Sequence, residues 1–183
     1  MKRRLLPVGL VPLLLILLTG CGFQLRGAPP VPATLSPLAL ECGASVPDAL
    51  CDEVERELAL SGLLADSDEE AANVLSLQDF DRNRRVSAFT ATAGAAEYEV
   101  TMLVRVSLIT HDGVPLLGRT RVDTVEAWRF DETSLLARQR EEAELNERLH
   151  DRLARLVLFR MTPFTEDRVQ QIRDAHAAAQ QEN

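Results

Sequence analysis

One stretch decides the fold of this chain: YEVTMLVRVSLI, residues 98–109, in which apolar and polar side chains alternate. The positions of one parity are all apolar: Tyr98, Val100, Met102, Val104, Val106 and Leu108. Between them lie polar residues such as Thr101, Arg105 and Ser107, with Leu103 as the exception. Because successive side chains of a strand point to opposite faces of its sheet, this alternation predicts an antiparallel strand with one buried and one solvated face.

More strands are predicted on both sides of this one. Residues 73–91 have an extended pattern before it and residues 116–130 after it, with a turn signal at His111-Asp112-Gly113. A short apolar run at residues 35–41 predicts a first strand. A helix should follow it from about Asp48 to about Gly62, because its apolar residues recur at helical spacing. These residues are Leu50, Val54, Leu58 and Leu63.

A long second helix is predicted from Thr133 or Ser134 to about Met161, before Pro163. Its apolar stripe consists of Leu145, Leu149, Leu153, Leu156 and Val157. Glu144–Arg148 and Asp151–Arg155 are supportive pairs four residues apart. From Asp174 onward the composition is rich in alanine and glutamine, which is compatible with a frayed helix or a disordered tail.

The predicted order is strand, helix, three strands, helix. Two helices cannot cover both faces of a small, mostly antiparallel sheet that keeps one strand face in water. We therefore predict an α+β fold, a two-layer sandwich in which both helices pack on one face of a four-stranded sheet. This domain should occupy residues 35–163, followed by a partly disordered C-terminal tail at residues 164–183.

The N-terminus has the pattern of an export signal. Lys2, Arg3 and Arg4 precede an apolar run at residues 5–18, which is shorter than the roughly 20 residues of a membrane-spanning helix. Residues 18–21, Leu-Thr-Gly-Cys, match the lipobox of bacterial lipoproteins. We predict a signal peptide at residues 1–20, a lipidated Cys21 and a proline-rich tether at residues 21–34; an ordinary cleaved signal is the alternative. Gly22, where an aspartate would signal inner-membrane retention, favours the outer membrane.

The charge of the chain argues against nucleic-acid binding. The sequence carries 20 basic and 28 acidic residues, and loss of the three basic residues of the signal changes the net charge from −8 to −11. An acidic protein repels the phosphate backbone, so we expect no nucleic-acid partner. All remaining basic residues are arginines, which bind phosphate or carboxylate groups in a bidentate manner where they cluster.

Two cysteines remain once Cys21 is lipidated. Cys42 and Cys51 form an even pair in a chain that is destined for an oxidising compartment, so a disulfide is one interpretation. Two buried free thiols or a metal pair are the alternatives. No histidine or further cysteine lies close in sequence to complete a zinc site.

The sequence contains no recognisable catalytic constellation. His111, His150 and His176 have no metal-ligand spacing, and no nucleophile elbow, phosphate-binding glycine loop or HExxH motif occurs. We predict a protein that is not an enzyme and uses no metal or cofactor.

Several motifs together resemble the LptE (RlpB) family of lipopolysaccharide-assembly lipoproteins. Residues 20–27, Gly-Cys-Gly-Phe-Gln-Leu-Arg-Gly, are similar to the family's mature N-terminus. Residues 96–98, Ala-Glu-Tyr, open the long strand as a similar triplet does in the family. Residues 129–131, Arg-Phe-Asp, and 136–138, Leu-Ala-Arg, resemble its entry into the last helix. The resemblance implies the fold predicted above and no catalysed reaction.

The resemblance also implies partners. Members of the family associate with the outer-membrane LptD β-barrel as its plug and assembly partner, and help to deliver lipopolysaccharide to the outer leaflet. Basic residues contact lipopolysaccharide phosphates in some members, and Arg138 occupies one matching position. The other position lies in the loop at residues 90–94, which has no basic residue here. Arg84 and Arg85, together with Arg82, lie just upstream and are the candidate replacements, unless they are only a solvated strand end.

The second hypothesis is a periplasmic lipid-binding lipoprotein that acts alone. It requires an apolar cavity, and the modest hydrophobic content offers no obvious surplus of residues to line one.

Overall fold

Within the residues that the structure describes, 31–89, 95–129 and 135–181, this computed structural model contains four strands and three α-helices. They are β1 (Leu38–Cys42), α1 (Asp48–Leu60), β2 (Asn73–Phe89), β3 (Ala95–Thr110), β4 (Pro115–Arg129), α2 (Leu135–Met161) and α3 (Glu166–Gln181). The predicted α+β class is confirmed. The third helix is an addition to the prediction.

The strands form one open sheet in the order β1-β2-β3-β4. β1 is parallel to β2, and the other neighbours are antiparallel. Within β2, residues 73–77 alone pair with β1, so the sheet has four strands at one end and three at the other. We call the four-stranded end the lower half (β1 and residues 73–78, 105–110 and 115–121). The three-stranded end is the upper half (residues 81–89, 95–103 and 123–129).

One face of the sheet is buried, as the alternation in β3 predicts. Its buried side chains and those of α1 and α2 belong to a single apolar cluster, so both helices cover the same face. Fully buried members of the two helices include Leu50, Val54, Leu58, Leu145, Leu149, Leu153 and Val157. Each large side chain of this kind stabilises the fold by about 1.5–3 kcal/mol relative to exposure. The other face of the sheet, which we call the open face, carries polar and charged side chains.

The first strand begins later than the sequence predicts. Residues Ala33–Leu35 form a 3₁₀-helix, and β1 starts at Leu38 after a cis peptide bond between Ser36 and Pro37. Leu35 is fully buried, and the Asn73 side chain donates a hydrogen bond to its carbonyl at 3.0 Å. Residues 33 and 34, which we assigned to the tether, therefore belong to the folded domain. The predicted signal peptide, Cys21 and most of the tether lie outside the described residues.

A disulfide joins the end of β1 to the first turn of α1. It links Cys42 and Cys51, whose Cα atoms are 6.2 Å apart. Both elements lie in or beside the lower half.

The C-terminal segment is mostly helical, whereas the sequence predicted a partly disordered tail. Residues Glu166–Gln181 form α3, in which Val169 and Ile172 pack against the core. Arg173 of this helix donates to Asp112 in the β3–β4 turn at 2.7 Å. Alanine and glutamine favour helices, and these contacts fix the helix at the lower end of the sheet.

Among the described helices, none combines the length and the apolar character that a membrane span would need.

Candidate binding site in the upper half

The three arginines that the sequence singles out do not share one face of β2. Arg84 is the register partner of Val100, whose side chain is buried beneath the helices, and Arg82 has the same parity. Arg85 is the register partner of Glu99 on the open face. The structure therefore brings Arg82 and Arg84 together on the helix side and separates Arg85 from them.

A single carboxylate of α2 serves both arginines. Arg82 Nη2 donates to Glu142 Oε1 at 3.0 Å, and Arg82 Nε donates to Asn146 Oδ1 at 3.0 Å. Arg84 Nη1 lies 3.9 Å from the same Glu142 oxygen, at the limit of an ion pair. Two guanidinium groups on one carboxylate leave a local excess of positive charge.

Aromatic rings pack beneath Arg84. The Arg84 guanidinium carbon lies 5.1 Å from the centroid of the Tyr98 ring, and this ring lies 6.1 Å from that of Trp128. A cation over an aromatic face is attracted by the ring, by about 0.5–1 kcal/mol at exposed sites. The Arg84 side chain is thus positioned by the ring and by Glu142, while 39% of its surface stays exposed. We call Arg82, Arg84, Tyr98, Trp128 and Glu142 the upper site.

Arg85 stands apart in a surface ion pair. Its Nη2 lies 2.6 Å from Glu99 Oε1, and 72% of its side chain is exposed. An exposed pair of this kind contributes about 0–1 kcal/mol. The alternative interpretation of the arginine cluster, that it is only a solvated strand end, therefore fits Arg85 better than Arg84.

Two parts of the predicted site are not described. Arg138 lies in α2 one helical turn before Glu142, but its side chain is outside the described residues. The loop at residues 90–94 is outside them as well.

Sequence reasoning missed Glu142 and Asn146. A signal was available, because Glu142 lies three residues before Leu145 and Asn146 three before Leu149, so both flank the apolar stripe. A polar residue at the edge of a buried stripe faces the neighbouring layer, where β2 presents its arginines.

One group of described side chains has the composition of a metal site. Oxygen atoms of Glu53, Glu57 and Asp151 lie within 4.8 Å of one another between α1 and α2. Two of these acids already form ion pairs, Glu53 with Arg56 and Asp151 with Arg155. Clusters of acids with their own arginines are ordinary on helix surfaces, so we assign no metal to this group.

His150 on the same side of α2 packs near Phe80, with ring centroids 6.2 Å apart. Its burial, followed by the positive charge of Arg82, lowers its pKa. A neutral imidazole at this position adds no positive charge to the upper site.

Comparison with known sequences gives two matches. Residues 32–161 match the sequence model of the LptE family, described as lipopolysaccharide-assembly. The chain is also 30% identical over 156 residues to the LPS-assembly lipoprotein LptE of Photorhabdus laumondii. The alignment covers 85% of this chain and 84% of that protein. The family match ends at the last residue of α2, so α3 lies beyond it.

Solved structures show the same fold. The crystal structure of the rare lipoprotein B from Shewanella oneidensis is similar with a TM-score of 0.58 and 21% identity, over 68% of this chain and 92% of that one. The solution structure of a lipoprotein B from Nitrosomonas europaea gives a TM-score of 0.62 and 17% identity, over 79% of this chain and 92% of that one.

Proposed function

The chain belongs to the LptE family of lipopolysaccharide-assembly lipoproteins, and on this premise we propose that it is an outer-membrane lipoprotein that associates with an LptD β-barrel. In this proposal it acts as plug and assembly partner of the barrel and helps to deliver lipopolysaccharide to the outer leaflet. It binds its partners and catalyses no reaction.

The upper site is the observation that supports direct contact with lipopolysaccharide. Arg84 rests on Tyr98, keeps part of its side chain exposed, and shares Glu142 with Arg82. Phosphate groups are among the anionic groups of lipopolysaccharide, and arginine binds phosphate through two parallel hydrogen bonds. Arg84 is therefore the primary phosphate ligand in the proposal. Arg138 is proposed to join it from α2, and Arg85 has a secondary role at the strand end.

The apolar surroundings suit the rest of an amphiphilic ligand. Val86 precedes the end of β2 with 39% of its surface exposed, and Phe89 at its end is 69% exposed. Isolated apolar residues on a surface need no explanation. Here they lie on the strand that carries Arg84, so apolar surface and positive charge occur together.

A lipid carrier that acts alone is the weaker proposal. It needs an enclosed apolar cavity, whereas three surface grooves of the described domain are each lined in part by charged side chains, for example Arg85, Arg173 and Glu53. The buried face of the sheet is filled by the helices.

The proposed anchor is a lipid on Cys21. Several acyl chains hold a protein on a membrane stably, whereas one chain does so only marginally. Mass spectrometry of the mature N-terminal peptide should find Cys21 as its first residue with the mass of attached lipid. An unmodified Cys21 at the N-terminus, or a mature protein that begins at another residue, would contradict this assignment.

Co-purification tests the proposed partnership. The full chain and the LptD-like barrel of the same organism would be co-expressed, and the complex purified from detergent-solubilised outer membranes. We expect a stoichiometric complex. Recovery of the chain without the barrel would reject the proposal.

Lipopolysaccharide binding is tested separately, with Arg84→Gln against wild type. We expect affinity to fall about fivefold to tenfold, because one charge-assisted contact is lost. Arg168→Gln, which removes an exposed arginine of α3 at the lower end, is the matched control and should bind like wild type. Equal affinities of all three proteins would remove Arg84 from the site.

A further inference from the structure

A bulge in β2, formed by Asp79 and Phe80, lies at the boundary between the two halves of the sheet. These two residues stand opposite a single residue of β3, Val104, because the register shifts by one residue between Gln78 and Asp81. Asp79 has a left-handed backbone with a φ of 50°. Such a backbone is uncommon for residues other than glycine, although aspartate tolerates it better than most. We call Asp79 and Phe80 the β2 bulge.

The extra residue decides which side chains of β2 face the helices. Side chains alternate between the two faces of a strand, so a shift by one residue exchanges the faces. Leu77 before the bulge, and Arg82 and Arg84 after it, all lie opposite buried residues of β3. Without the shift, the same sequence would turn both arginines to the open face and place Asn83 and Arg85 on the helix side.

On the helix side the bulge is anchored through Phe80. Its ring packs against the apolar core, with its centroid 6.2 Å from that of His150 in α2. Its backbone N–H donates to the Ser45 hydroxyl in the loop between β1 and α1, at 3.3 Å. The N–H of Gly43 in the same loop donates to the Leu77 carbonyl at 2.8 Å. This loop therefore holds β2 both just before the bulge and at it.

On the open face the bulge is held through Asp79. One oxygen of its carboxylate lies 3.3 Å from Arg105 and 3.6 Å from Arg119. In the unshifted register Asp79 and Asp81 would both face the helices, and burial of an unpaired carboxylate is costly. Phe80 would lie on the open face instead. The order of acidic and apolar residues over positions 79–81 therefore favours the bulged register.

We infer that Asp79 and Phe80 are positioning residues of the upper site. The bulge that they form brings Arg82 and Arg84 to the helix side, within reach of Glu142. The inference rests on the proposed function, because the upper site is the phosphate site proposed there. Neither bulge residue has to touch the ligand, since both act through the register of the strand. Bulges next to functional sites commonly re-aim side chains in this way.

The test shifts the register of the full chain without changing its length. The pattern-swapped variant, Asp79→Val with Phe80→Asp and Asp81→Val, supplies apolar residues where the unshifted register would bury them. The pattern-kept variant, Asp79→Asn with Phe80→Leu, retains the alternation that favours the bulge. Both variants lose one negative charge on balance, so their net charges are equal. Circular dichroism and thermal unfolding establish that they fold.

Cross-linking reports the register independently of any ligand. Lys2, in the predicted signal peptide, is the only lysine of the chain, so Arg82→Lys or Asn83→Lys gives the mature protein a single lysine. A carbodiimide joins a lysine directly to a carboxylate in contact with it, and peptide mass spectrometry identifies that carboxylate. In the wild-type and pattern-kept backgrounds, we expect Arg82→Lys to link to Glu142 and Asn83→Lys to link to acids of the open face. In the pattern-swapped background, Asn83→Lys should gain the link to Glu142 and Arg82→Lys should lose it.

Lipopolysaccharide affinity, measured without the lysine substitutions, provides the second readout. The pattern-swapped variant should bind about fivefold to tenfold more weakly than wild type, because the charge-assisted contact of Arg84 is lost. The pattern-kept variant should bind like wild type. Deletion of position 81 from the pattern-swapped variant returns Arg82 and Arg84 to the helix side without a bulge, and should restore affinity. General damage to the fold would not be rescued by such a deletion.

Three results would overturn the inference. In the wild-type background, a link from Asn83→Lys to Glu142 would mean that the strand is not bulged, and this result needs no altered bulge to fold. A pattern-swapped variant that keeps the wild-type links, or one that binds lipopolysaccharide as well as wild type does, would deny the bulge its role while the proposed function stands. A wild-type protein that binds no lipopolysaccharide would reject the proposed site and this role of the bulge together.

Discussion

The two halves of the sheet are built for different tasks. The lower half has four strands, the disulfide between Cys42 and Cys51, and α3 clamped to the β3–β4 turn. The upper half has three strands beyond the end of β1, and arginines occupy its helix side. In the lower half of β2, Leu75 and Leu77 are fully buried, whereas Val86 and Phe89 in the upper half are exposed.

Under the proposed function, the difference assigns stability to the lower half and binding to the upper half. A surface that binds an anion must keep cations accessible, and accessible cations contribute little to stability. The lower half supplies the buried apolar area that permits such an upper half. Both free strand edges of the upper half also carry charged residues, which oppose pairing with other chains.

Truncation of a buried leucine in the lower half should have the largest effect. Leu75→Ala leaves a cavity in the core, and we expect a loss of about 2–5 kcal/mol in the free energy of unfolding. The matched change in the upper half, Val86→Ala, should cost about 0.5 kcal/mol because the side chain is already partly in water. Urea denaturation measures both values. Similar losses would abolish the distinction between the halves.

Removal of the disulfide should have the next largest effect. The bond closes a short loop with a sequence separation of 9, so the double change of Cys42 and Cys51 to alanine should lower stability by about 2–3 kcal/mol. Urea denaturation with and without reductant gives the comparison. Alkylation of unfolded, oxidised protein is the check: two freely labelled thiols would show that the bond is absent from the molecule in solution.

A change at the upper site should affect binding more than stability. In the proposed site Glu142 would compete with phosphate for Arg82 and Arg84, with which it pairs in the structure, so Glu142→Gln should increase affinity for lipopolysaccharide about threefold to tenfold. Glu144→Gln removes an exposed acid from the same helix and should leave affinity near that of wild type. Fluorescence titration provides both values. If Glu142→Gln bound lipopolysaccharide more weakly than wild type, this carboxylate would organise the arginines instead of competing for them.

The smallest effect concerns acid pH. Hydrogen bonds from the Thr110 hydroxyl and then from the Arg173 guanidinium lower the pKa of Asp112. The stability that the ionised carboxylate contributes is therefore fully present above about pH 4 and should be lost as pH falls through this lowered pKa. Asp112→Asn should therefore lose less stability than wild type between about pH 5 and about pH 2. In the upper half Arg129, followed by Ser87, lowers the pKa of Glu97, and Glu97→Gln should behave alike. Thermal unfolding across this range is the measurement; identical slopes for variants and wild type would contradict it.

The sequence predicted most of the fold because the signals were local. The alternation in β3 identifies its buried face, and Gly62, with a φ of 67°, ends α1 where expected. The sequence analysis underestimated how ordered the C-terminal segment is, because the ion pair between Arg173 and Asp112 joins residues 61 positions apart.

The candidate site was predicted only in part, for the same physical reason. A cluster of arginines on β2 is visible in the sequence, but a strand divides them between two faces, and the bulge at Asp79 shifts the register before Arg82. Arg148, which we expected to pair with Glu144, lies 3.1 Å from Glu126 of β4 instead. Partners across the two layers exist only after the layers pack.

The topology also has a consequence for distance. Residues 31–35 lie at the start of β2, where Asn73 binds the carbonyl of Leu35, and Arg84 lies eleven residues further along the same strand. At about 3.3 Å per residue, the two ends of that interval are about 35 Å apart. If Cys21 is held at a membrane, the length of the sheet separates the anchored end of the domain from Arg84. Lengthening the proline-rich tether would move the whole domain further from its anchor without altering any contact inside the domain.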